Sequence, residues 1–165
     1  MQVMKAAKDI DITPARVEDA PAMLDIIREV FEAYDMIYDP ENDYPDLVDF
    51  ERSYPPDQQE LFVIKFGGEL VGFGAVKEDA QGVPYLSRIY IAPEHQGLGL
   101  GERLVRFLTD KALSQYDRVY LWTDTRFTKA HNLYKKLGFE PDGRCEPLGD
   151  INESFEYYYE KKRPD

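Results

Sequence analysis

Apolar residues recur along this chain at two periods, and the switches between the periods outline its elements. Ile10 to Arg16 reads as a short strand. Met23, Leu24, Ile26, Ile27, Val30, Phe31 and Tyr34 then recur at helical spacing, giving a helix with a broad apolar face. Asp19 precedes that helix, and Pro21 falls in its first turn, where a proline is well tolerated. Asp35 to Pro45 is acidic and interrupted by Pro40, so it reads as a loop, and Leu47 to Tyr54 as a second short helix stopped by Pro55-Pro56. Glu60 to Phe66 and Leu70 to Lys77 are β-rich runs joined by Gly67-Gly68, a hairpin turn. After a turn over Asp79 to Gly82, Tyr85 to Ile91 is the next strand of the meander. Leu98, Leu100, Leu104, Val105 and Leu108 restore the helical period, to about Ser114. Arg118 to Thr123 alternates as a strand, and Thr125 to Leu137 is a short helix with Gly138 where a C′ glycine belongs. Phe139 to Gly143 and Phe155 to Tyr159 read as the last strands.

The order is therefore β, α, α, β, β, β, α, β, α, β, β. Three antiparallel strands followed by a βαβ crossover imply an α/β (α+β) fold: a mixed, mostly antiparallel sheet of six or seven strands flanked by about four helices. Residues 1–9 read as a flexible leader and residues 10–163 as one domain.

The junction at Ile89 to Gly101 changes the picture from architecture to chemistry. Pro93 ends the strand because it has no N–H for a ladder. Gly97, Gly99 and Gly101 then alternate into the start of the helix. A glycine-rich turn feeding a helix N-terminus gathers unpaired amides and partial positive charge at one spot, which suits an anion such as phosphate. A dinucleotide fingerprint would need a third glycine where Glu102 stands and a parallel strand before the turn, and a Walker A loop would need a Gly-Lys-Ser/Thr ending. Neither fits. Tight packing alone is the remaining plain reading of the glycines.

Composition bounds the partners. The chain has 165 residues and a formal net charge of −12, so nucleic acid and anionic membrane surfaces are repelled overall. No apolar run approaches the roughly 20 residues of a membrane span. Cys145 is the only cysteine, which fits a reducing cytoplasm, and with only His95 and His131 as histidines no structural zinc site is expected. The acidity sets a tension, because a phosphate seat here must work against the field of the whole molecule.

Taken together, these segments resemble the GNAT superfamily of acyl-CoA-dependent N-acetyltransferases. Ile89-Tyr90-Ile91-Ala92-Pro93 is similar to the end of the family's fourth strand, Gln96 to Gly101 to its Q/R-x-x-G-x-G pyrophosphate motif, and Ala130, Leu133-Tyr134 and Leu137-Gly138-Phe139 to its A-x-x-L-Y-x-x-x-G-F helix segment. The resemblance implies a sheet splayed between the fourth and fifth strands, with acetyl-CoA as the acyl donor in the gap. It implies that the backbone of Ile89, Tyr90 and Ile91 pairs with the pantetheine arm and that amides within Gln96, Gly97, Leu98, Gly99, Leu100, Gly101 and Glu102 hold the pyrophosphate. Oriented amides need no net positive charge, which answers the tension. The resemblance also implies that Tyr134 gives a proton to the leaving thiolate; a phenol titrating near about 10 is protonated at neutral pH. A core tyrosine is the plain alternative.

One position departs from the pattern. Many members carry an asparagine at the place of Phe127, leaving Thr125 or Thr128 to replace its hydrogen bond, although Thr128 suits a helix N-cap equally well. No general base stands out. Asp124, at the end of the fifth strand, is a candidate, and a water chain is the alternative. The acceptor side is implied to come from the first helices and their loop, where Tyr34, Asp35, Tyr38 and neighbouring carboxylates concentrate. Carboxylates and aromatic faces favour a cationic amine, whereas an ordinary acidic surface loop needs no ligand. Trp122 lines the cleft or sits buried in the sheet. The expected activity is direct transfer of acetyl to a primary amine in a ternary complex. The alternative is a non-catalytic acyl-CoA-binding or sensing module. A monomer or a homodimer fits either.

Overall fold

The computed structural model describes residues 9–57 and 59–165. The leader expected over 1–9 lies outside them, except for Asp9. Seven strands form one sheet in the order β1-β2-β3-β4-β5-β7-β6. They are β1 (Ile10–Pro14), β2 (Leu61–Phe66), β3 (Glu69–Glu78), β4 (Pro84–Ile91), β5 (Arg118–Asp124), β6 (Glu140–Pro147) and β7 (Phe155–Lys162). Every pairing is antiparallel except β4 with β5.

The long helices lie on opposite faces. Helix α1 (Ala20–Ala33) buries Met23, Ile27, Val30 and Phe31 against Val63 and Phe73. Helix α5 (Leu100–Leu113) buries Leu104, Val105 and Leu108 against Phe62, Ile64 and Leu121. Strand β2 feeds both cores, because successive side chains alternate between faces. Helix α6 (Thr128–Lys136) lies on the α5 side, and Gly138 ends it at φ 94°, as its position after Leu137 predicts.

The segment between α1 and β2 is more broken than the hydrophobic pattern suggests. It holds three single turns, α2 (Pro40–Asp43), α3 (Pro45–Val48) and α4 (Phe50–Ser53), in place of one loop and one short helix. Tyr44 and Tyr54 each precede a proline and adopt non-helical ψ values of 47° and 75°. A following proline disfavours the α conformation, so α2 and α3 cannot merge across Tyr44 and α4 ends before Tyr54, while α3 and α4 part at Asp49, whose ψ is 65° with no proline after it. Tyr44, Leu47, Phe50 and Tyr54 nevertheless anchor the segment in the core.

Two features open the sheet. Strands β4 and β5 are registered only at Tyr85 with Tyr120 and Leu86 with Leu121, and then diverge. Against β3, the register shifts where Arg88 and Ile89 face the single residue Gly74. Arg88 takes a left-handed φ of 57°, which side chains rarely adopt and which costs on the order of 1 kcal/mol. A Cβ on Gly74 would lie 2.8 Å from Leu108 Cδ1 and 3.2 Å from Ile89 Cγ1, so the bulge packs only against a glycine. The bulge turns the rest of β4 away from β5.

Candidate active site

The splay leaves two adjoining cavities. One, of about 390 Å³, runs from the β4–α5 turn to the start of α6. The other, of about 500 Å³, lies between the ends of β4 and β5, α2 and the β6–β7 loop. Ile89, Tyr90, Phe127, Ala130 and Tyr134 border both.

The smaller cavity is built from main chain. Beyond Leu86, β4 has no ladder partner on its β5 side, so backbone groups of Ile89 to Ile91 that face that edge are free of a strand partner there. Gln96 Nε2 donates to the Ile91 carbonyl at 3.1 Å and closes the turn. Gly97 and Gly99 sit at φ 81° and 80°, and a Cβ on either would meet nothing within 4 Å. Glycine is thus required there by backbone conformation, and the surroundings stay open for a bulky group. The first hydrogen bond of α5 runs from the Arg103 amide to the Gly99 carbonyl, leaving the amides of Leu100, Gly101 and Glu102 without helical partners.

Of the residues assigned to this side, Ile89, Tyr90, Ile91, Gln96, Gly97, Gly99, Gly101, Glu102 and Tyr134 line the cavity. Leu98 points outward at 46% exposure and Leu100 is buried in the core at 1%, so only their backbones belong to the turn. The Tyr90 side chain turns to the α1 side, where its hydroxyl meets that of Tyr44 at 2.5 Å and its phenol is pushed up to about 12, mainly by burial. Glu102 is neutralised by Arg106 at 3.0 Å and Lys136 at 3.3 Å, so it does not repel an anion strongly. Glu94 is exposed and the His95 side chain only 18% so; among the described residues they and Glu69 form the one group with three potential metal-ligand atoms within 4.8 Å.

Tyr134 stands where the cavities meet. His131, three residues earlier, donates from Nε2 to the Asp124 carbonyl at 2.8 Å and fastens α6 to the end of β5. The Tyr134 ring packs edge-on against Phe139 at 6.0 Å. Burial, with smaller contributions from Tyr90 and Tyr159, raises its phenol well above the ordinary tyrosine range, so it stays protonated. Among the described residues its hydroxyl has no hydrogen-bond partner. Phe127 lies between the cavities, edge-on to Tyr34 at 4.9 Å. Thr125 and Thr128 line neither cavity, and Thr128 is the first residue of α6 and does not cap it.

The larger cavity is lined by side chains from distant segments. Arg88 binds Asp46 at 2.8 Å and lies over the Tyr44 ring at 4.5 Å. Burial opposes the charge on Asp46, but Arg88 and the Tyr54 hydroxyl outweigh it and hold the carboxyl below its ordinary range. Arg126 clips the end of β5 to the β6–β7 loop, bonding Asp124 Oδ2 at 2.9 Å, Ser154 Oγ at 2.9 Å and the Asn152 carbonyl at 2.7 Å. Asn152 in turn pairs with the backbone of Ile37, donating at 2.9 Å and accepting at 2.7 Å. The α1–α2 and β6–β7 loops are thereby joined over the cleft.

The structure redistributes the residues expected to receive a substrate. Asp124 lines the larger cavity, Tyr34 the smaller one, and Asp35 and Tyr38 line neither. Tyr38 packs instead on Phe31 at 6.3 Å. Trp122 is half-buried, lines the larger cavity and meets Tyr158 at 5.2 Å. Asp43, one of the loop carboxylates expected on the acceptor side, lines the larger cavity; the groups that sequence reasoning missed are Arg88, Asp150 and Glu156. Glu156 looks like any charged position in an alternating strand; only its pairing opposite Asp124 brings it to the cleft.

Comparison with known proteins agrees with this geometry. The model of the Acetyltransferase (GNAT) family matches residues 21–139. N-acetyltransferase family 8 member 2 of Rattus norvegicus is 34% identical over 104 residues, which are 59% of this chain and 46% of that protein. The chain thus spans about half the length of that curated relative. Spermidine N(1)-acetyltransferase of Escherichia coli K12 is 26% identical over 148 residues, 85% of this chain and 77% of that protein. Among solved structures, Ard1 of Thermoplasma volcanium superposes with a TM-score of 0.77 at 18% identity, covering 95% of this chain and 99% of that one. An acetyltransferase of Salmonella typhimurium, yncA, solved with its cofactor acetyl-CoA, superposes at 0.72 with 18% identity, covering 94% and 95%. The glycine turn, the splayed sheet and the family match agree: the chain belongs to the GNAT acetyltransferase family.

Proposed function

We propose that the protein transfers acetyl from acetyl-CoA to a primary amine that carries positive charge, by direct attack in a ternary complex. The observation that carries this reading is the meeting of two cavities at Tyr134, one walled by main-chain donors and the other by carboxylates. The smaller cavity fits the donor. Its amides and the positive end of α5 suit the pyrophosphate, and the unpaired edge of Ile89 to Ile91 suits the amides of the pantetheine arm as an added strand. The larger cavity fits the acceptor. Asp43, Asp124, Asp150 and Glu156 face it, while Arg88 is already paired with Asp46, so its field favours a cation. Tyr134 stays protonated beside both and gives its proton to the leaving sulfur.

The names of the relatives support the same assignment, since one acts on spermidine and one was solved with acetyl-CoA. The test is release of free thiol from acetyl-CoA with a panel comprising 1,4-diaminobutane, spermidine, glycinamide and lysine amide. Turnover with the members that carry more than one positive charge above that with glycinamide is the expected result. Acetyl-CoA binding without thiol release across the panel would make the chain an acyl-CoA-binding module instead. The Phe127 substitution is the feature that favours that outcome.

A further inference from the structure

The carboxylates of the acceptor cleft differ in what already holds them. Asp124 has both oxygens on Arg126, at 2.9 Å to the backbone N–H and 2.9 Å to the guanidinium. Asp150 accepts from the Ser154 amide and hydroxyl, each at 2.7 Å. Asp43 and Glu156 have no hydrogen-bond or ion-pair partner among the described residues. A half-buried carboxylate without a partner is costly, and a cationic ligand removes that cost.

We propose that Glu156 receives the acceptor's ammonium group and takes its proton. The inference rests on the acetyl-transfer reading above. Glu156 sits on β7 opposite Asp124 and borders the same cleft as Tyr134. Its partner Asp124 is the last residue of β5, the end from which the chain continues to Phe127 and to Tyr134 on α6, both of which border the cleft. Charged and titratable groups face it from every side, namely Asp124 on β5, Asp150 in the β6–β7 loop, Arg88 and Tyr90 on β4, Asp43 on α2 and Tyr134 on α6. Burial first, then Asp124 and Asp150, raise the Glu156 carboxyl above its ordinary range, and Arg88 opposes them. The residue is therefore a stronger base than a free glutamate.

The protons balance. One leaves the ammonium for Glu156 and frees the nitrogen lone pair, which bonds to the acetyl carbonyl carbon. The carbon–sulfur bond breaks, its electron pair stays on sulfur, and sulfur takes the Tyr134 phenol proton. The second nitrogen proton, made acidic by the new bond, restores Tyr134, and Glu156 returns its own proton to solvent. One amide, one thiol and one released proton result.

The test compares the full chain with Glu156→Gln, using 1,4-diaminobutane as the acceptor. Thiol-release rates are followed from acid to alkaline pH, and amine binding is measured by calorimetry without acetyl-CoA. Glu156→Gln is expected to lose about 10²-fold in kcat/KM for the amine. It should also lose the acid-side limb of the pH profile and bind the amine several-fold more weakly, with acetyl-CoA binding unchanged and Tm no lower than that of the wild type. Glu156→Asp should restore the limb in part. A Glu156→Gln protein that keeps its rate to within twofold, or one that slows with the limb and amine binding intact, overturns the role of Glu156 alone. A wild-type protein that binds acetyl-CoA but neither binds nor acetylates any amine of the panel overturns the acetyl-transfer reading as well.

Discussion

The two cavities that meet at Tyr134 are made of different material. The proposed donor side takes its main-chain groups from one continuous run, Ile89 to Glu102, with side chains of α1 and α6 closing its other walls. The proposed acceptor side gathers Asp43, Arg88, Asp124, Asp150 and Glu156 from distant parts of the chain and would work through side chains. A main-chain site requires particular backbone conformations, and left-handed φ at Gly97 and Gly99 demands particular residues. A side-chain site requires only that a carboxylate arrive at the right place, which any strand or loop can arrange. The first kind of site leaves a local signature in the sequence and the second does not.

Substitutions that act on one side only test this division. The largest effect is expected at the junction. Tyr134→Phe should lower turnover by about 10²-fold while the KM for acetyl-CoA stays within about twofold, as steady-state rates would show. Equal losses in both would make the tyrosine a packing residue.

Next comes the frame of the acceptor side. Asp46→Asn removes the charge that holds Arg88 and should cost about 2 kcal/mol of stability in urea unfolding. It should raise the amine KM and leave acetyl-CoA binding alone. The pH dependence has a definite sign. The Asp46 carboxyl is held below its unfolded value. Its contribution is therefore present in full above about pH 4 and is lost as pH falls through the folded value. The difference in stability between wild type and Asp46→Asn should shrink in that acid range.

Smaller effects follow on each flank. Gly99→Ala forces an L side chain to φ 80° and should cost roughly 1 kcal/mol, seen as about fivefold weaker acetyl-CoA binding with amine binding unchanged. A matching change in amine affinity would show the two sides to be coupled. Asp43→Asn is expected to raise the KM for spermidine a few-fold, on the order of the worth of a partly exposed ion pair. It should leave the acid limb of the pH profile in place, since the limb is assigned to Glu156.

Much of the fold was legible because its long elements carry strong periods. The continuous β-rich run in Glu60 to Phe66 and the helical spacing from Leu100 to Leu108 each correspond to an element, β2 and α5. The hairpin at Gly67-Gly68 carries two positive φ values, as its residues predict. Legibility failed at Leu47 to Tyr54, where apolar spacing suggested one helix and the backbone makes two separate turns. Four residues per turn is too short a window for a period to show. Two positions that the sequence left open were decided by the fold: Trp122 is half-buried at the cleft, and the Thr128 side chain does not cap the helix it begins.

By itself, the sequence determined the order of elements, the glycine turn and the place of Tyr134 on a helix after the fifth strand. These depend on interactions between residues close along the chain. Tertiary structure alone decided that Asp35 and Tyr38 stand apart from the cleft, that Arg126 occupies Asp124, and that Glu156 arrives opposite it without a partner. Each of those outcomes depends on strand register and loop packing, and a one-residue slip of β7 would turn Glu156 to the other face.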